Sequence, residues 1–314
     1  MRYFDQQQVH DHLSMKECIQ VMQDLFRLPT EAFLNPLRPI MRIPSLEAVV
    51  GMMPAYIAPY NVFGVKVLSI FHHNHAYGIS SHQGVMLLFE AKHGVLIASF
   101  NADSLTAIRT AAVTAVSVDI LAKANATTLA LMGTGVQGVS HLEAMLAIRP
   151  IERVNVWSRT PANRVSFIEK QQEKYPNLIF KNCETAQEAT QDVEIICTLT
   201  ASPTPVVRKA WLQKGCHITA VGSSTPTARE LDTELIKASK LFIDNEESTM
   251  NEAGNILIPI QEGAITKDHI KGTLHELITK KIAGRTNDDE LTVFSSVGIG
   301  IEDVASANFI LKKS

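Results

Sequence analysis

From about Thr127 onward the chain settles into a rhythm. The short apolar runs TLALMG, RVNVWS, LIFKN, VEIICTLT, CHITAVG and LFIDN recur with helix-compatible stretches between them. Runs separated by enough chain for a helix do not pair as hairpins. They pair in parallel, and the connecting helices cover both faces of the sheet. The spacing therefore predicts an α/β domain built on a doubly wound parallel sheet.

The first run leads directly into Gly133-Thr134-Gly135-Val136-Gln137-Gly138, a GxGxxG string followed by an amphipathic stretch. With 16 glycines in 314 residues, chance alone gives about 0.04 such strings per chain, so its place between strand and helix carries the argument. There the glycines permit a tight turn and let a pyrophosphate approach the helix N-terminus, the Rossmann-type arrangement for a dinucleotide. An NAD-binding unit carries a carboxylate about twenty residues further on, for the ribose 2′-hydroxyl. Here the second run ends VNVWSRT, and Ser158, Arg159 and Thr160 fill that place. A guanidinium flanked by hydroxyls suits a 2′-phosphate, so NADPH is the expected cofactor, with NADH also accepted. A solvated loop arginine is the plain alternative.

The N-terminal third follows another pattern. Ser14 to Phe26 places Cys18, Val21, Met22, Leu25 and Phe26 on one helical face, with Ser14 as N-cap. PIMRIP, VVGMMPAYI, VFGVKVLSIF, GVMLLFE and VLIASF then read as a meandering antiparallel sheet, punctuated by Gly, Pro, Asn and His. A long Ala-rich helix from about Ser104 to Lys123, capped by Asp103 or Ser104, bridges to the α/β region. The tail VFSSVGIGIEDVASANFILKK reads as strand, glycine turn and closing helix. Two domains result: a smaller α+β domain over 1–117, with 295–314 returning to it, and the dinucleotide domain over 118–294.

Composition narrows the function classes. Basic residues number 29 and acidic residues 32, a net charge of −3, which argues against a nucleic-acid binder that relies on phosphate contacts. Cys18, Cys183, Cys197 and Cys216 lie far apart with no zinc-like spacing, as suits unpaired thiols in a reducing cytoplasm. The start MRYFDQQQVH lacks a signal-peptide core, and no run of 18 apolar residues announces a membrane span, so a cytoplasmic location is expected.

Three cations stand in apolar surroundings: Arg42 in IMRIP, Lys66 in VFGVKVLSI and Arg109 in LTAIRTAAV. Each is costly to bury without a partner, and that partner is either an internal carboxylate or a small anionic substrate. Snorkelling to solvent is the remaining alternative. His72, His73 and His75 in FHHNH invite a metal reading, but with no Cys or paired carboxylate nearby a polar loop is favoured and no metal is expected. Glu302 and Asp303 read as an acidic helix start, with Asp303 facing a pocket as the alternative. Asp244 and Glu246 read as solvated loop residues.

Together with the glycine turn, these residues resemble the ornithine cyclodeaminase/μ-crystallin family. The likeness rests on RPIMRIP, FGVKVLS, TAIRTAAVTAVS, LMGTGVQG, VWSRT, AVGSSTPTARELD and FSSVGIGIEDVASA, and it covers nearly the whole chain. It implies a homodimer whose subunits combine a Rossmann domain with a substrate domain that also forms the dimer interface. It also implies chemistry on amino acids or cyclic imino acids with a nicotinamide cofactor. By the same resemblance, Arg42 and Arg109 would clamp a substrate carboxylate and Lys66 would sit beside the reacting carbon–nitrogen bond. Gly133, Thr134, Gly135, Val136, Gln137 and Gly138 would hold the pyrophosphate, and Ser158, Arg159 and Thr160 the adenosine ribose. Thr198 to Ser202, Thr200 included, and Val221, Gly222 and Ser223 would border the cofactor groove, with Val297 and Gly298 at the nicotinamide.

One position departs from the cyclodeaminase pattern VGGDCPGKTEL, whose aspartate serves deamination. This chain reads VGSSTP, with Ser224 in that place, and a hydroxyl near its ordinary pKa is no general base at pH 7. The VGSSTPTARELD form is similar to the ketimine-reductase and amino-acid-dehydrogenase branches. The expected reaction is NAD(P)H-dependent reduction of a cyclic ketimine carboxylate. Δ1-Pyrroline-2-carboxylate going to L-proline comes first, and Δ1-piperideine-2-carboxylate going to L-pipecolate second. Lys66, as carboxylate ligand or proton relay, and Ser224, orienting the nitrogen, are the catalytic candidates. The rivals are an alanine-dehydrogenase-like enzyme, which would require ammonia, and an ornithine cyclodeaminase, which would release it. A third is a non-catalytic crystallin-like protein that only binds NADPH or a small ligand, and such a binder has no need of a substrate clamp.

Overall fold

The computed structural model describes residues 1–71 and 73–314, without the side chains of His75 and His82. The histidine cluster considered above therefore falls largely outside the described residues; His73 itself is exposed and pairs with Glu47 at 2.8 Å. The chain divides into two compact units, Met1–Thr110 with Ile299–Ser314, and Ala111–Gly298.

In the first unit, β1 (Arg2–Phe4), β2 (Phe33–Leu34), β3 (Ile40–Ile43), β4 (Ala48–Ile57), β5 (Val62–Phe71), β6 (His82–Glu90) and β7 (Leu96–Asn101) form one sheet. Its order is β1-β7-β6-β5-β4-β2, with β3 also on β4. The meander from β3 to β7 is antiparallel, but β1 pairs parallel with β7 through the register Arg2 to Ala98. The expected meander is therefore present, and β1, at three residues too short to announce itself by alternation, adds a parallel strand at its edge. The helix Met15–Arg27 starts where Ser14 and Glu17 form a capping box, and its buried face contains Cys18, Val21, Met22, Leu25 and Phe26.

The helix Gly300–Lys313 packs on β4, β5 and β6. It lies so close that a Cβ on Gly300 would stand 2.9 Å from the Pro54 carbonyl oxygen. Period-two alternation then buries Met53, Ala55 and Ile57 of β4 and Met86 and Leu88 of β6. The side chains of opposite parity, among them Met52, Tyr56, Phe63, Val65, Leu87 and Phe89, remain exposed or half-buried, and Phe63 stacks on Phe89 at 4.9 Å. The helix Ala102–Leu121 follows β7 and is capped by Asn101, whose Oδ1 accepts the Ser104 N–H at 3.0 Å, not by Asp103 or Ser104. It is apolar and long enough to cross a membrane by composition, but 83% of that stretch is buried inside the protein, as in a core helix.

The second unit holds β8 (Thr128–Met132), β9 (Arg153–Trp157), β10 (Ile179–Asn182), β11 (Ile195–Thr198), β12 (His217–Ala220), β13 (Lys240–Ile243), β14 (Ile270–Thr273) and β15 (Thr292–Ser295). Their order is β10-β9-β8-β11-β12-β15-β13-β14, and every pair is parallel. Ala130, Met132, Ile196, Ile218, Ala220, Leu241 and Val293 build its core. Strand order reverses between β8 and β11, the switch point at whose carboxyl ends an α/β sheet of this kind binds ligands. The loops leaving those two strands are the GTGVQG turn and TLTAS.

Candidate active site

Lys66 sits in mid β5, in register with Met53 and Met86, on the face that the helix Gly300–Lys313 covers. Only 1% of it is exposed, and its Nζ donates to both Asp303 carboxylate oxygens at 2.9 Å and to Thr106 Oγ1 at 3.1 Å. Arg109, on the Ala102–Leu121 helix, is also buried. Its Nε donates to Asp303 Oδ1 at 3.1 Å and its Nη1 to Glu302 Oε2 at 2.5 Å, while Nη2 meets no described partner. Glu302 and Asp303 do lie in the first turn of the last helix, but they are fully buried and oppose two cations rather than the helix dipole alone. The internal salt bridge left open by the sequence is thus what Lys66 and Arg109 have.

This cluster is formally neutral, which makes its burial tolerable. Burial, followed by the nearby Arg109 charge, pushes the Lys66 ammonium down to about 8, with Asp303 acting in the opposite sense. Arg38, which sequence reasoning missed, adds to the depression. For Arg109 burial opposes the charge, but Asp303 and Glu302 outweigh it and raise the pKa. Arg42 stands apart from these residues. It is exposed on β3 opposite Val49 and makes no ion pair or hydrogen bond among the described residues.

In the second unit, the glycine turn is shaped by close backbone approaches at two of its three glycines. Gly133 has φ +129°, and a Cβ there would lie 2.7 Å from the Leu199 carbonyl oxygen. A Cβ on Gly138 would stand 2.6 Å from the Gly133 carbonyl oxygen, whereas one on Gly135 would meet nothing within 4 Å. Gly135 is the N-cap of the helix Val136–Ile148 and provides no side-chain cap; the Gly138 N–H donates to the Gly135 carbonyl at 2.9 Å, which leaves the amides of Val136 and Gln137 for an anion. Open space above Gly135 and tight packing beneath Gly133 and Gly138 fit a dinucleotide. Thr134 is half-buried and Val136 exposed, and Gln137 keeps a buried Oε1 with no partner among the described residues. After β9, Ser158 Oγ donates to the Thr160 carbonyl at 3.1 Å, and Arg159 and Thr160 are exposed.

Two buried carboxylates shape the remaining loops. Glu230, fully buried, accepts from Thr198 Oγ1, Thr200 N and Thr200 Oγ1 at 2.7 Å each and from Gly222 N at 2.8 Å. It thereby ties the TLTAS loop to the turn of Val221, Gly222 and Ser223. Burial pushes its carboxyl pKa up, and these hydrogen bonds pull the other way. Sequence reasoning missed it; the available signal was an acid embedded in the apolar edge of ARELD. Asp244 corrects an expectation, since it is not loop solvation. It is 4% exposed, and its Oδ2 accepts from Ser296 Oγ at 3.0 Å, Val297 N at 2.7 Å and Gly298 N at 2.9 Å. Glu246 is exposed and pairs with Lys267. Ser223 Oγ donates to the Ala228 carbonyl, while Ser224 is half-buried with no described hydrogen bond. Among the described residues no group of three or more His, Cys, Asp or Glu is placed to hold a metal ion.

The family model for the ornithine cyclodeaminase/mu-crystallin family matches residues 3–314. The chain belongs to this family. Similar proteins within it include a Delta(1)-pyrroline-2-carboxylate reductase of Bacillus cereus, 33% identical over 90% of this chain and 87% of that protein. The ketimine reductase mu-crystallin of Mus musculus is 29% identical over 98% of this chain and 96% of its own length. Among solved structures, the Delta(1)-pyrroline-2-carboxylate reductase of Thermococcus litoralis in complex with NADH and L-proline superposes with a TM-score of 0.96 at 33% identity. That match covers 100% of this chain and 97% of the other. An archaeal alanine dehydrogenase dimer with bound NAD matches with a TM-score of 0.93 at 25% identity, covering 100% of this chain and 95% of its own. The family fold is therefore present over the full length, with the parallel-sheet unit and the mixed-sheet unit both represented.

Proposed function

We propose that this protein reduces Δ1-pyrroline-2-carboxylate to L-proline with NADPH, accepting NADH less well, and takes the six-membered homologue as a second substrate. One observation carries the reading. A buried lysine and arginine share the Asp303 carboxylate in a member of this family whose VGSSTP turn offers Ser224, and no carboxylate, for ammonia expulsion. Whole-chain similarity to reductases of this substrate supports it.

Arg109 is fixed through Nε and Nη1, and its Nη2 edge is the donor left for a substrate carboxylate, with exposed Arg42 as the second arm of the clamp. A carboxylate held this way fixes the ring and removes orientational entropy from the reaction. When bound, the reduced nicotinamide supplies the hydride. The glycine turn of Gly133, Gly135 and Gly138 would hold its pyrophosphate, the Ser158–Thr160 turn the ribose, and the loops of Thr198, Thr200, Val221 to Ser223, Val297 and Gly298 its remaining length. Lys66, with its pKa at about 8, donates a proton to the imine nitrogen near neutral pH, with Asp303 as its counter-ion. Ser224 orients the same nitrogen. The half-exposed apolar face of β2 to β6 is the interface of a homodimer. The buried, unpaired cysteines accord with a cytoplasmic location.

A panel of cyclic imines and keto acids, with and without ammonia and followed by NADPH absorbance, tests the reading. Turnover of pyrroline-2-carboxylate without ammonia is expected, with large losses in Lys66→Met and Arg109→Met. Activity only on keto acids with ammonia would favour an amino-acid dehydrogenase, and full activity in either variant would remove that residue from the mechanism.

A further inference from the structure

Three buried arginines of this chain differ in what neutralises them. Arg109 meets two carboxylates and Arg149 meets Asp119 at 2.8 Å. Arg164 meets none. It is 6% exposed, and its Nε donates to Asn182 Oδ1 and its Nη1 to the Ser158 carbonyl oxygen, both at 2.9 Å. Both acceptors are neutral, and Nη2 donates to no described group. Arg164 also lies four residues into the helix Pro161–Lys174, at the positive end of its dipole, where the N-cap Thr160 provides no side-chain hydrogen bond. A guanidinium withdrawn from water, without an anion, beside a helix N-terminus is opposed on two counts. The carbonyl it grips belongs to the turn that bears the exposed Arg159 and Thr160.

We propose that Arg164 is a specificity-determining residue for the cofactor: a buried positive charge beneath the Ser158–Thr160 turn that selects the adenosine 2′-phosphate of NADPH over the 2′-hydroxyl of NADH. The inference rests on the reading of this unit as the dinucleotide domain. Arg159, out in water, is screened by salt, whereas a buried charge is screened far less, so Arg164 sustains the preference where Arg159 alone would lose it. By holding the Ser158 carbonyl it also sets the path of the turn.

Calorimetric binding of adenosine 2′,5′-bisphosphate and adenosine 5′-monophosphate tests this without turnover. The parent is expected to bind the bisphosphate at least tenfold more tightly. Arg164→Gln is expected to cut that ratio about tenfold with 5′-monophosphate affinity within twofold, and Arg164→Lys to retain most of it. Should Arg164→Gln fail to fold, Asn182→Asp places a carboxylate against the guanidinium at an exposed position and is expected to lower the ratio similarly. Equal weakening of both nucleotides, or an unchanged ratio in Arg164→Gln and Asn182→Asp, would overturn the proposal and leave Arg164 a structural tie. A parent that binds the two nucleotides equally would instead overturn the NADPH assignment itself.

Discussion

The two units bury acids in opposite ways. In the first, Asp303 and Glu302 are neutralised by full charges, Lys66 and Arg109, on strand and helix. In the second, Glu230 and Asp244 are satisfied by backbone amides and hydroxyls, with no cation among the described residues paired to either. Charge pairing yields a cluster in which Arg109 is held through Nε and Nη1 while Nη2 meets no described partner, the donor proposed above for an anionic substrate. Neutral donors produce a different result: loops drawn to fixed positions with their outer surfaces left for a ligand. The first arrangement suits chemistry and the second suits holding a cofactor.

Removing Asp303 should break this contrast most visibly. Asp303→Ala leaves two buried cations with one carboxylate and is expected to cost about 3–5 kcal/mol of stability, together with a loss of more than about a hundredfold in kcat/KM. Denaturant titration and steady-state kinetics check both. Glu230→Gln is the neutral-donor counterpart. Its amide NH2 faces groups that are themselves donors, so about 1–3 kcal/mol should be lost and dinucleotide affinity should fall about tenfold, with imine affinity little changed. Weakening of both ligands alike would show that the two units do not divide the labour.

A pH series sharpens the comparison further. Lys66 is held at about 8 in the folded protein against its ordinary 10.5. Between those values the unfolded chain binds the extra proton, so this group's contribution makes stability rise with pH from about 8 to 10.5, and Lys66→Met should flatten that rise. Turnover should move the other way and fall as pH passes about 8 and the proton donor is lost. The smallest effect belongs to the exposed pair Lys174–Glu143 at 3.2 Å, where Lys174→Ala should cost less than about 1 kcal/mol and leave kinetics untouched.

Much of this molecule is legible in its sequence, for identifiable reasons. The capping box at Ser14 and Glu17, the five-residue apolar face behind it and the six apolar runs of the parallel sheet are local patterns. So is the glycine turn, whose steric demands depend on backbone neighbours close in sequence or on the next strand. What escaped is non-local. The pairing of Lys66 with Asp303 joins residues 237 positions apart, and Asp303 taken alone looks like an ordinary helix-start acid. Glu230 and Asp244 were hard to read as loop organisers because their partners are backbone amides, which carry no residue identity, and hydroxyls distant in sequence. The insertion of β15 between β12 and β13 is likewise a strand order that alternation alone could not specify.

Isotope transfer tests the central claim most directly. With NADPH carrying deuterium at both C4 positions of the nicotinamide and pyrroline-2-carboxylate as the only other reactant, the account predicts L-proline one mass unit heavier, labelled at Cα, with no ammonia consumed or released. Unlabelled proline, or product that forms only when ammonia is added, would contradict it.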